Sequence, residues 1–548
     1  MSDVLDGNPA SPGAAAGPVA RLAPAPVLPA DPPPAGAPDA EAATAASAID
    51  TVVAELEKRA HGLTGEARDI LETQVLMARD SAISDGVRAA AEAGRPAAWA
   101  VHEAFGKQMA ALTALGGYLG ERAGDLADLR DRAVAVLLDV PPPGLPSAQE
   151  PYVLVGVDLA PADTVTLDPA LVLAIVTEKG GPTSHTAILA RAMGIPAVVG
   201  CAGAAGLTDG DRVVVDGTLG SVTAHPSDEL VAKVAADAEA RRAELAAFTG
   251  PGRTADGHPV KLLLNVGEGD AAAGGEVDAE GVGLFRTEFL FLDRTEAPTV
   301  EEQRAAYGRV FAAFSGRKVV VRTLDAGADK PLPFATDESE PNPALGVRGY
   351  RIAAGKPSIL DDQLAAIAAA AADHDADVHV MAPMIATAAE AAEFAGKARA
   401  AGIGTVGVMI EIPAAALRAG EILAEVDFVS IGTNDLAQYT FAADRLLGEL
   451  GPLLDPWQPP LLDLVAMVAT AGRTAGKPVG VCGEAAGDPG LAVVLTGLGV
   501  TSLSMSAPAV PGVRAALRRR TSDDCAARAD LARRAPDPAT ARARVLGG

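Results

Sequence analysis

The spacing of apolar residues changes along the chain and first marks out a helical stretch. Between Ala40 and about Val140, apolar side chains recur every three or four positions, which is the spacing of one face of a helix. We therefore predict a helical bundle here, and its acidic face makes it a candidate docking module for another protein. Residues 29–40 are rich in proline and predict a linker, whereas residues 1–28 predict an edge strand or a disordered start.

Short apolar runs follow the prolines at 141–143 and predict a compact α/β domain. The predicted strands are Tyr152–Val157, Thr164–Leu167, Leu171–Val176, Ile195–Val199, Arg212–Val215 and Ser221–Ala224. A helical connector from Asp228 to Phe248 then ends in the turn sequence Thr249-Gly250-Pro251-Gly252, which indicates a domain boundary.

Beyond Gly257, apolar runs alternate with helical patterns to the end of the chain. The predicted strands are Val260–Asn265, Gly281–Phe285, Lys318–Arg322, Val378–Met384, Thr405–Glu411, Asp427–Ile431, Pro478–Cys482 and Thr501–Ser504. The predicted helices include Glu301–Phe314, Ile359–Asp373, Thr387–Ala401 and Leu461–Ala475. This alternation predicts a (β/α)8 TIM-type barrel, with a doubly wound open sheet as the alternative. We find no Gly-x-Gly-x-x-Gly after a strand and no Walker A sequence.

His185 lies where a glycine turn leads into a helix. The buried strand predicted before it ends near Val176, Gly180 and Gly181 form the turn, and Gly194 ends the helix. The free N–H groups and the dipole of a helix N-terminus favour an anion, and a neutral imidazole is a competent nucleophile. His185 is therefore a candidate to accept a phosphoryl group; the alternative is a histidine that only caps the helix.

Polar residues follow several of the predicted barrel strands, where the catalytic groups of such barrels gather. Arg286 and Arg322 end neighbouring strands, and Arg348 and Arg445 lie on nearby loops. Guanidinium groups pair well with phosphate and carboxylate oxygens. The alternative for each residue is a surface ion pair over the barrel mouth.

Two carboxylates and a thiol complete the predicted mouth. Glu411 and Asp435 offer hard oxygen ligands and so point to Mg²⁺ or Mn²⁺ rather than zinc. Such an ion would neutralise charge on an enolate or phosphate. Cys482 ends a strand beside Gly483 and Glu484, where it could donate a proton to a carbanion, although most cysteines are small buried apolar residues.

The composition narrows the partners and the compartment. A formal net charge of −26 argues against nucleic acid or an anionic membrane surface as the main partner. The three cysteines form no disulfide or metal pattern, and the N-terminus lacks a signal peptide, so we expect a cytoplasmic protein. The uncharged stretch 489–513 is broken by glycines and prolines, which favours buried core over a membrane span.

Seven motifs span most of the chain beyond about residue 140. They are Gly180–Thr186, Gly283–Glu288, Val320–Asp325, Met409–Pro413, Ser430–Leu436, Cys482–Glu484 and Ser504–Ser506. Together they resemble the motifs of the phosphoenolpyruvate-utilising enzymes, and they are most similar to those of enzyme I of the phosphoenolpyruvate:sugar phosphotransferase system. The residues before about 140 match that family only loosely.

The resemblance implies a role for each candidate residue. His185 would be phosphorylated on the ring nitrogen remote from the backbone. Arg286, Arg322 and Arg445, together with Asn434, would bind phosphoenolpyruvate.

Glu411 and Asp435 would hold Mg²⁺, and Asp435 would also bind the substrate. Cys482 would protonate the enolate at its methylene carbon to give pyruvate.

The resemblance also implies a domain organisation. Residues 1–28 and 141–227 would form the swivelling phosphohistidine domain, with residues 29–140 inserted as the helical domain that docks the carrier protein HPr. Residues 228–257 would be a helical linker, and residues 258–548 the phosphoenolpyruvate-binding barrel, through which the family forms homodimers. The Pro/Ala-rich run at 23–37 departs from the family pattern and has no obvious role in it.

Two other functions remain as alternatives. A pyruvate phosphate dikinase or phosphoenolpyruvate synthase relative would share the histidine domain and the barrel, but it would need an ATP-grasp domain before the histidine. A regulatory or binding protein that keeps the fold without turnover would be expected to lack some of the six main candidates, all of which are present.

Overall fold

The computed structural model describes residues 3–547 except for several segments. Those segments are 61–70, 72–73, 116–122, 147, 149, 160–166, 169, 182–183, 268, 270–273, 292–293, 328–331, 337–339, 341 and 445–447. The chain divides into two units, Met1–Ala240 and Arg241–Gly548, which we describe separately.

An eight-stranded sheet organises the first unit. Its strands are β1 (Asp3–Asp6), β2 (Asn8–Ser11), β3 (Ala14–Arg21), β4 (Tyr152–Gly156), β5 (Val172–Thr177), β6 (Ala197–Val199), β7 (Arg212–Asp216) and β8 (Ser221–Ala224). They lie in the order β1-β8-β7-β3-β4-β5-β6-β2, and β3 to β6 pair in parallel. Val153, Ile175 and Val198 have no exposed surface, which explains why these central strands read as continuous apolar runs.

Helices between β3 and β4 form a separate packed cluster. They are α1 (Pro38–Ala60), α2 (Ser81–Glu92), α3 (Ala97–Leu115) and α4 (Ala123–Leu138). Leu56, Ile83, Phe105 and Leu129 are buried against one another, one from each helix. Asp80 caps α2 by accepting a hydrogen bond from Ala82 N–H at 2.8 Å. The predicted helical bundle is thereby confirmed.

Two further α-helices follow among the described residues of the first unit. They are α5 (His185–Met193), between β5 and β6, and α6 (Asp228–Ala247), which continues into the second unit. The predicted strand Thr164–Leu167 lies almost wholly outside the described residues.

The second unit is a closed barrel of parallel strands, which confirms the predicted (β/α)8 fold and makes the open-sheet alternative wrong. Its strands are β9 (Lys261–Val266), β10 (Gly281–Phe285), β11 (Lys318–Arg322), β12 (Asp377–Ala382), β13 (Thr405–Ile410), β14 (Phe428–Gly432), β15 (Val479–Cys482) and β16 (Ser502–Met505). Strand β16 pairs with β9 and closes the ring.

Helices surround the barrel and bury its outer face. They are α7 (Val300–Ala313), α8 (Ile352–Gly355), α9 (Pro357–Asp373), α10 (Ala388–Ala400), α11 (Pro413–Leu417), α12 (Ala419–Glu425), α13 (Thr433–Phe441), α14 (Pro459–Ala475), α15 (Glu484–Gly487), α16 (Pro489–Leu498), α17 (Val510–Arg518), α18 (Ser522–Arg533) and α19 (Pro538–Leu546). The predicted uncharged stretch 489–513 contains α16, most of whose side chains are buried, as expected for core. Among the described helices, none is both long and apolar enough to cross a membrane.

Two observed strands end earlier than predicted, at the C-terminal end of the barrel, where the backbone leaves the sheet. Strand β12 ends at Ala382, two residues early, and Met384 adopts a left-handed φ of 59°. Strand β13 ends at Ile410, so that Glu411 begins the following turn. At these two positions the backbone N–H of Met384 and the carboxylate of Glu411 meet in a hydrogen bond.

Candidate active site

A ladder of buried arginines and carboxylates crosses the C-terminal end of the barrel. Arg322 Nη2 donates to Glu288 Oε1 at 2.7 Å, and Arg322 Nη1 lies 3.0 Å from Asp325 Oδ2. Arg348 Nη2 donates to the same Asp325 at 3.2 Å, and Arg348 Nη1 lies 3.7 Å from Asp435 Oδ1. The ladder therefore joins the predicted phosphate-binding residue Arg322 to the predicted metal ligand Asp435.

The carboxylates hold Arg322 in its charged form although it is almost fully buried. Burial alone lowers the pKa of Arg322, but the charges of Glu288 and Asp325 outweigh it and raise that pKa above its ordinary value. A permanent positive charge in a site of low dielectric attracts an anion more strongly than the same charge in water. Arg322 can therefore bind a phosphate or carboxylate oxygen at the barrel mouth.

Glu411 is the most deeply buried carboxylate of the mouth, with 0% of its surface exposed. Its Oε1 accepts a hydrogen bond from Met384 N–H at 2.6 Å, while Oε2 has no hydrogen-bond partner among the described residues. Burial, together with the charge of Asp435, raises the pKa of Glu411 to about 8. An unpartnered oxygen of this kind is expected to take a cation or a proton.

The space beside Glu411 and its donor set fit a divalent cation. A Cβ on Gly432 would lie 2.7 Å from Glu411 Oε2, so glycine keeps this space open. Among the described residues, no group of three or more potential ligands converges on one point. Mg²⁺ is commonly bound through one or two carboxylates, with substrate oxygens and water completing its shell, and the pair Glu411 and Asp435 suits that pattern.

Cys482 ends β15 inside the barrel, 1% exposed. Its Sγ accepts a hydrogen bond from Ser430 Oγ at 3.3 Å and donates to Ile431 O at 3.6 Å. Burial raises the pKa of the Cys482 thiol to about 11. At neutral pH the group is therefore a protonated thiol, which suits a proton donor and not a thiolate nucleophile.

The remaining predicted barrel residues have different environments. Arg286 directly follows β10, and its guanidinium carbon lies 5.6 Å from the centre of the Phe289 ring. Asn434 is exposed in the first turn of α13, close to Gly483, where a Cβ would lie 3.2 Å from Asn434 Oδ1. Arg445 lies outside the described residues.

The first unit carries the predicted nucleophile at a capped helix N-terminus. Helix α5 begins at His185, three residues earlier than its apolar pattern starts, because Ser184 Oγ accepts from Ala187 N–H at 3.3 Å. Thr186 Oγ1 donates to Asp158 Oδ1 at 3.0 Å, and Gly194 ends the helix at φ 67°. The imidazole of His185 lies outside the described part of the structure.

Sequence reasoning assigned no role to three residues that shape this site. Glu288 and Asp325 orient Arg322, and Met384 supplies a backbone N–H to Glu411. A signal existed for the first two, since each stands two or three positions after a strand-end arginine. Met384 had none, because a backbone donor leaves no trace in residue type.

The chain resembles known proteins over nearly its whole length. It matches the family models "PEP-utilising enzyme, N-terminal" over residues 6–122, "PEP-utilising enzyme, mobile domain" over 148–220 and "PEP-utilising enzyme, PEP-binding domain" over 241–522. The last of these alone covers more than half of the chain.

Sequence relatives agree with the family models. A phosphoenolpyruvate-protein phosphotransferase of Streptomyces coelicolor is 54% identical over 515 residues, which are 93% of this chain and 92% of that protein. One of Haloferax volcanii is 41% identical over 506 residues, 89% of this chain and 88% of its own. A solution structure of Enzyme I (nEIt) matches 43% of this chain and 99% of its own at 31% identity, with a TM-score of 0.39.

Proposed function

The chain belongs to the phosphoenolpyruvate-protein phosphotransferases among the phosphoenolpyruvate-utilising enzymes, and on that premise we propose how its residues carry out the reaction. The family assignment favours this activity over the dikinase alternative, because the named relatives match over about nine-tenths of the chain. The observation that supports the residue assignment is that a buried, charged Arg322 and a Glu411 oxygen without a hydrogen-bond partner among the described residues occur at the same barrel mouth, where their charges interact.

In the proposed reaction, the barrel binds phosphoenolpyruvate by its two anionic groups. Arg322, held by Glu288 and Asp325, binds the phosphoryl group together with Arg286 and Arg445. Asn434 binds phosphoenolpyruvate from the first turn of α13.

Glu411 and Asp435 would hold Mg²⁺. When bound, the ion would neutralise charge that develops on the phosphoryl and enolate oxygens.

His185 then attacks phosphorus through its ring nitrogen remote from the backbone. The bond between phosphorus and the enol oxygen breaks as the nitrogen–phosphorus bond forms, and the enolate of pyruvate leaves. Cys482 gives its thiol proton to the methylene carbon, which yields pyruvate, and the thiolate regains a proton from solvent. The free N–H groups at the start of α5 stabilise the phosphohistidine anion.

The second half of the reaction passes the phosphoryl group to a carrier. We propose that residues 1–28 and 141–227 form the mobile phosphohistidine module, and that residues 29–140 dock a histidine carrier of the HPr type. Residues 228–257 would then be the linker to a barrel spanning 258–548. A cytoplasmic homodimer that pairs through this barrel completes the proposal.

The test supplies phosphoenolpyruvate, Mg²⁺ and a purified HPr carrier, and measures pyruvate and phosphorylated carrier. We expect both products in equal amounts without any adenine nucleotide. A requirement for ATP or AMP would support the dikinase alternative. Phosphoenolpyruvate binding without either product would favour a protein that keeps the fold without turnover.

A further inference from the structure

A chain of buried hydrogen bonds runs behind the ends of β10 and β11. Its centre is Gln363 on α9, whose side chain is 0% exposed. Gln363 Oε1 accepts from Leu324 N–H at 2.9 Å, and Gln363 Nε2 donates to Thr287 Oγ1 at 3.1 Å and to Tyr307 Oη at 3.0 Å. Both amide hydrogens and the amide oxygen are therefore bonded inside the barrel wall.

The donors and acceptors fix the orientation of this amide. The backbone N–H of Leu324 can only donate, so the oxygen of Gln363 faces it and the nitrogen faces the two hydroxyls. The hydroxyl of Thr287 accepts from Gln363 and donates its one hydrogen to the carbonyl oxygen of Arg322, at 2.9 Å. One side chain thus ties the end of β10 to the end of β11.

These bonds reach the residues assigned to phosphoenolpyruvate. Thr287 directly follows Arg286, and it also bonds the backbone of Arg322. The next residue, Glu288, accepts from the Arg322 guanidinium at 2.7 Å. A change at Gln363 would therefore shift the backbones of both arginines and the carboxylate that orients one of them.

We propose that Gln363 is a positioning residue, which sets the spacing of Arg286 and Arg322 for the phosphoryl group without touching the substrate. The inference rests on the assignment of those two arginines in the proposed function. Losing one well-aligned hydrogen bond to a charged group weakens binding by roughly 10- to 100-fold, so we expect a loss of phosphoenolpyruvate affinity of that size in Gln363→Met.

Gln303 offers a matched control within the same hydrogen-bond chain. It is 1% exposed on α7, its Oε1 accepts from Tyr307 Oη at 3.0 Å, and its Nε2 donates to Pro298 O at 2.9 Å. Gln303→Met removes the same chemistry from the same layer of the barrel wall, but it leaves the bonds of Gln363 to the strand ends in place. A purely structural role predicts equal effects of the two substitutions.

The experiment compares the dissociation constant of phosphoenolpyruvate in the presence of Mg²⁺, by calorimetry on the full chain below both melting temperatures. We expect both Q363M and Q303M to melt earlier, and only Q363M to lose affinity. Equal dissociation constants for Q363M and Q303M, whether or not both differ from that of the unsubstituted chain, would overturn the proposal.

Thr287 provides a second test in case Q363M does not fold. Thr287→Val keeps the shape and loses the hydroxyl, whereas Thr287→Ser keeps the hydroxyl. We expect T287V to lose affinity as Q363M does and T287S to retain it; equal affinities of T287V and T287S would contradict the inference. Arg322→Met separates the two proposals: unchanged affinity in R322M removes the substrate assignment, whereas loss in R322M alone removes only the role of Gln363.

Discussion

Replacing Cys482 with alanine tests the proposed proton donor with little disturbance of the barrel. The Sγ atom lies in a buried layer with Leu284, Val320 and other apolar side chains, and its polar contacts are Ser430 and the carbonyl of Ile431. Removing one buried heavy atom costs on the order of 1 kcal/mol. The substituted protein should therefore fold and bind phosphoenolpyruvate as before.

The expected loss of turnover is much larger than the loss of stability. A positioned general acid contributes about 10²- to 10⁴-fold to the rate, which corresponds to about 3–5.5 kcal/mol of barrier. The arginines and carboxylates that bind the substrate are unchanged, so we expect the KM for phosphoenolpyruvate to stay within about threefold. Cys482→Ser is the control for polarity, because its hydroxyl is a weaker acid and should not restore the rate.

The assay follows pyruvate release over a range of pH for the three proteins. Burial raises the pKa of the thiol to about 11, so it remains protonated throughout the neutral range. The step that depends on Cys482 should consequently show no loss from thiol ionisation between about pH 6 and 9. Full turnover in C482A would remove Cys482 from the mechanism, and a decline near the ordinary thiol pKa that disappears in C482A would refute the argument from burial.

Three further substitutions test the barrel mouth. The pKa of Glu411 is about 8 in the folded, metal-free protein, against 4.5 ordinarily, so the free energy of unfolding should fall as pH rises between those values. Thermal melts should show this slope, and Glu411→Gln should remove both the slope and Mg²⁺-dependent substrate binding. A slope that persists in E411Q would contradict the assignment. Asp325→Asn leaves two buried arginines short of a carboxylate and should destabilise the barrel by about 3–5 kcal/mol in urea, whereas a change below about 1 kcal/mol would show that Arg322 and Arg348 do not depend on it. Gly432→Ala places a Cβ 2.7 Å from Glu411 Oε2 and should weaken Mg²⁺ binding by at least about tenfold, so unchanged metal affinity would argue that the ion binds elsewhere.

The sequence alone was enough to predict the barrel because its pattern is local. The parallel strands are buried on both faces, so Gly281–Phe285 is apolar throughout, Lys318–Arg322 has an apolar centre of three valines, and both predicted strands have the same bounds in the structure. The residues at or just after the C-terminal ends of these strands share one rim by topology, which is why the sequence predicts Arg322, Glu411 and Cys482 at the same site.

The groups that hold these site residues in position could not be predicted from the sequence. Gln363 lies on a helix 39 positions from its partner Leu324, and a glutamine in an alanine-rich helix gives no sign that it is buried. Met384 acts through its backbone in a left-handed conformation that its residue type does not favour. Such groups are found only when the packing of distant segments is known.

The most direct test of the account is to locate the phosphoryl group on the chain. Labelled phosphoenolpyruvate and Mg²⁺ are added without a carrier, and the acid-labile, base-stable label is mapped by peptide. We predict the label on His185, its loss in His185→Ala, and undiminished phosphoenolpyruvate binding in that variant. Label on another residue, or equal labelling of H185A, would contradict the assignment of His185 as the residue that receives the phosphoryl group.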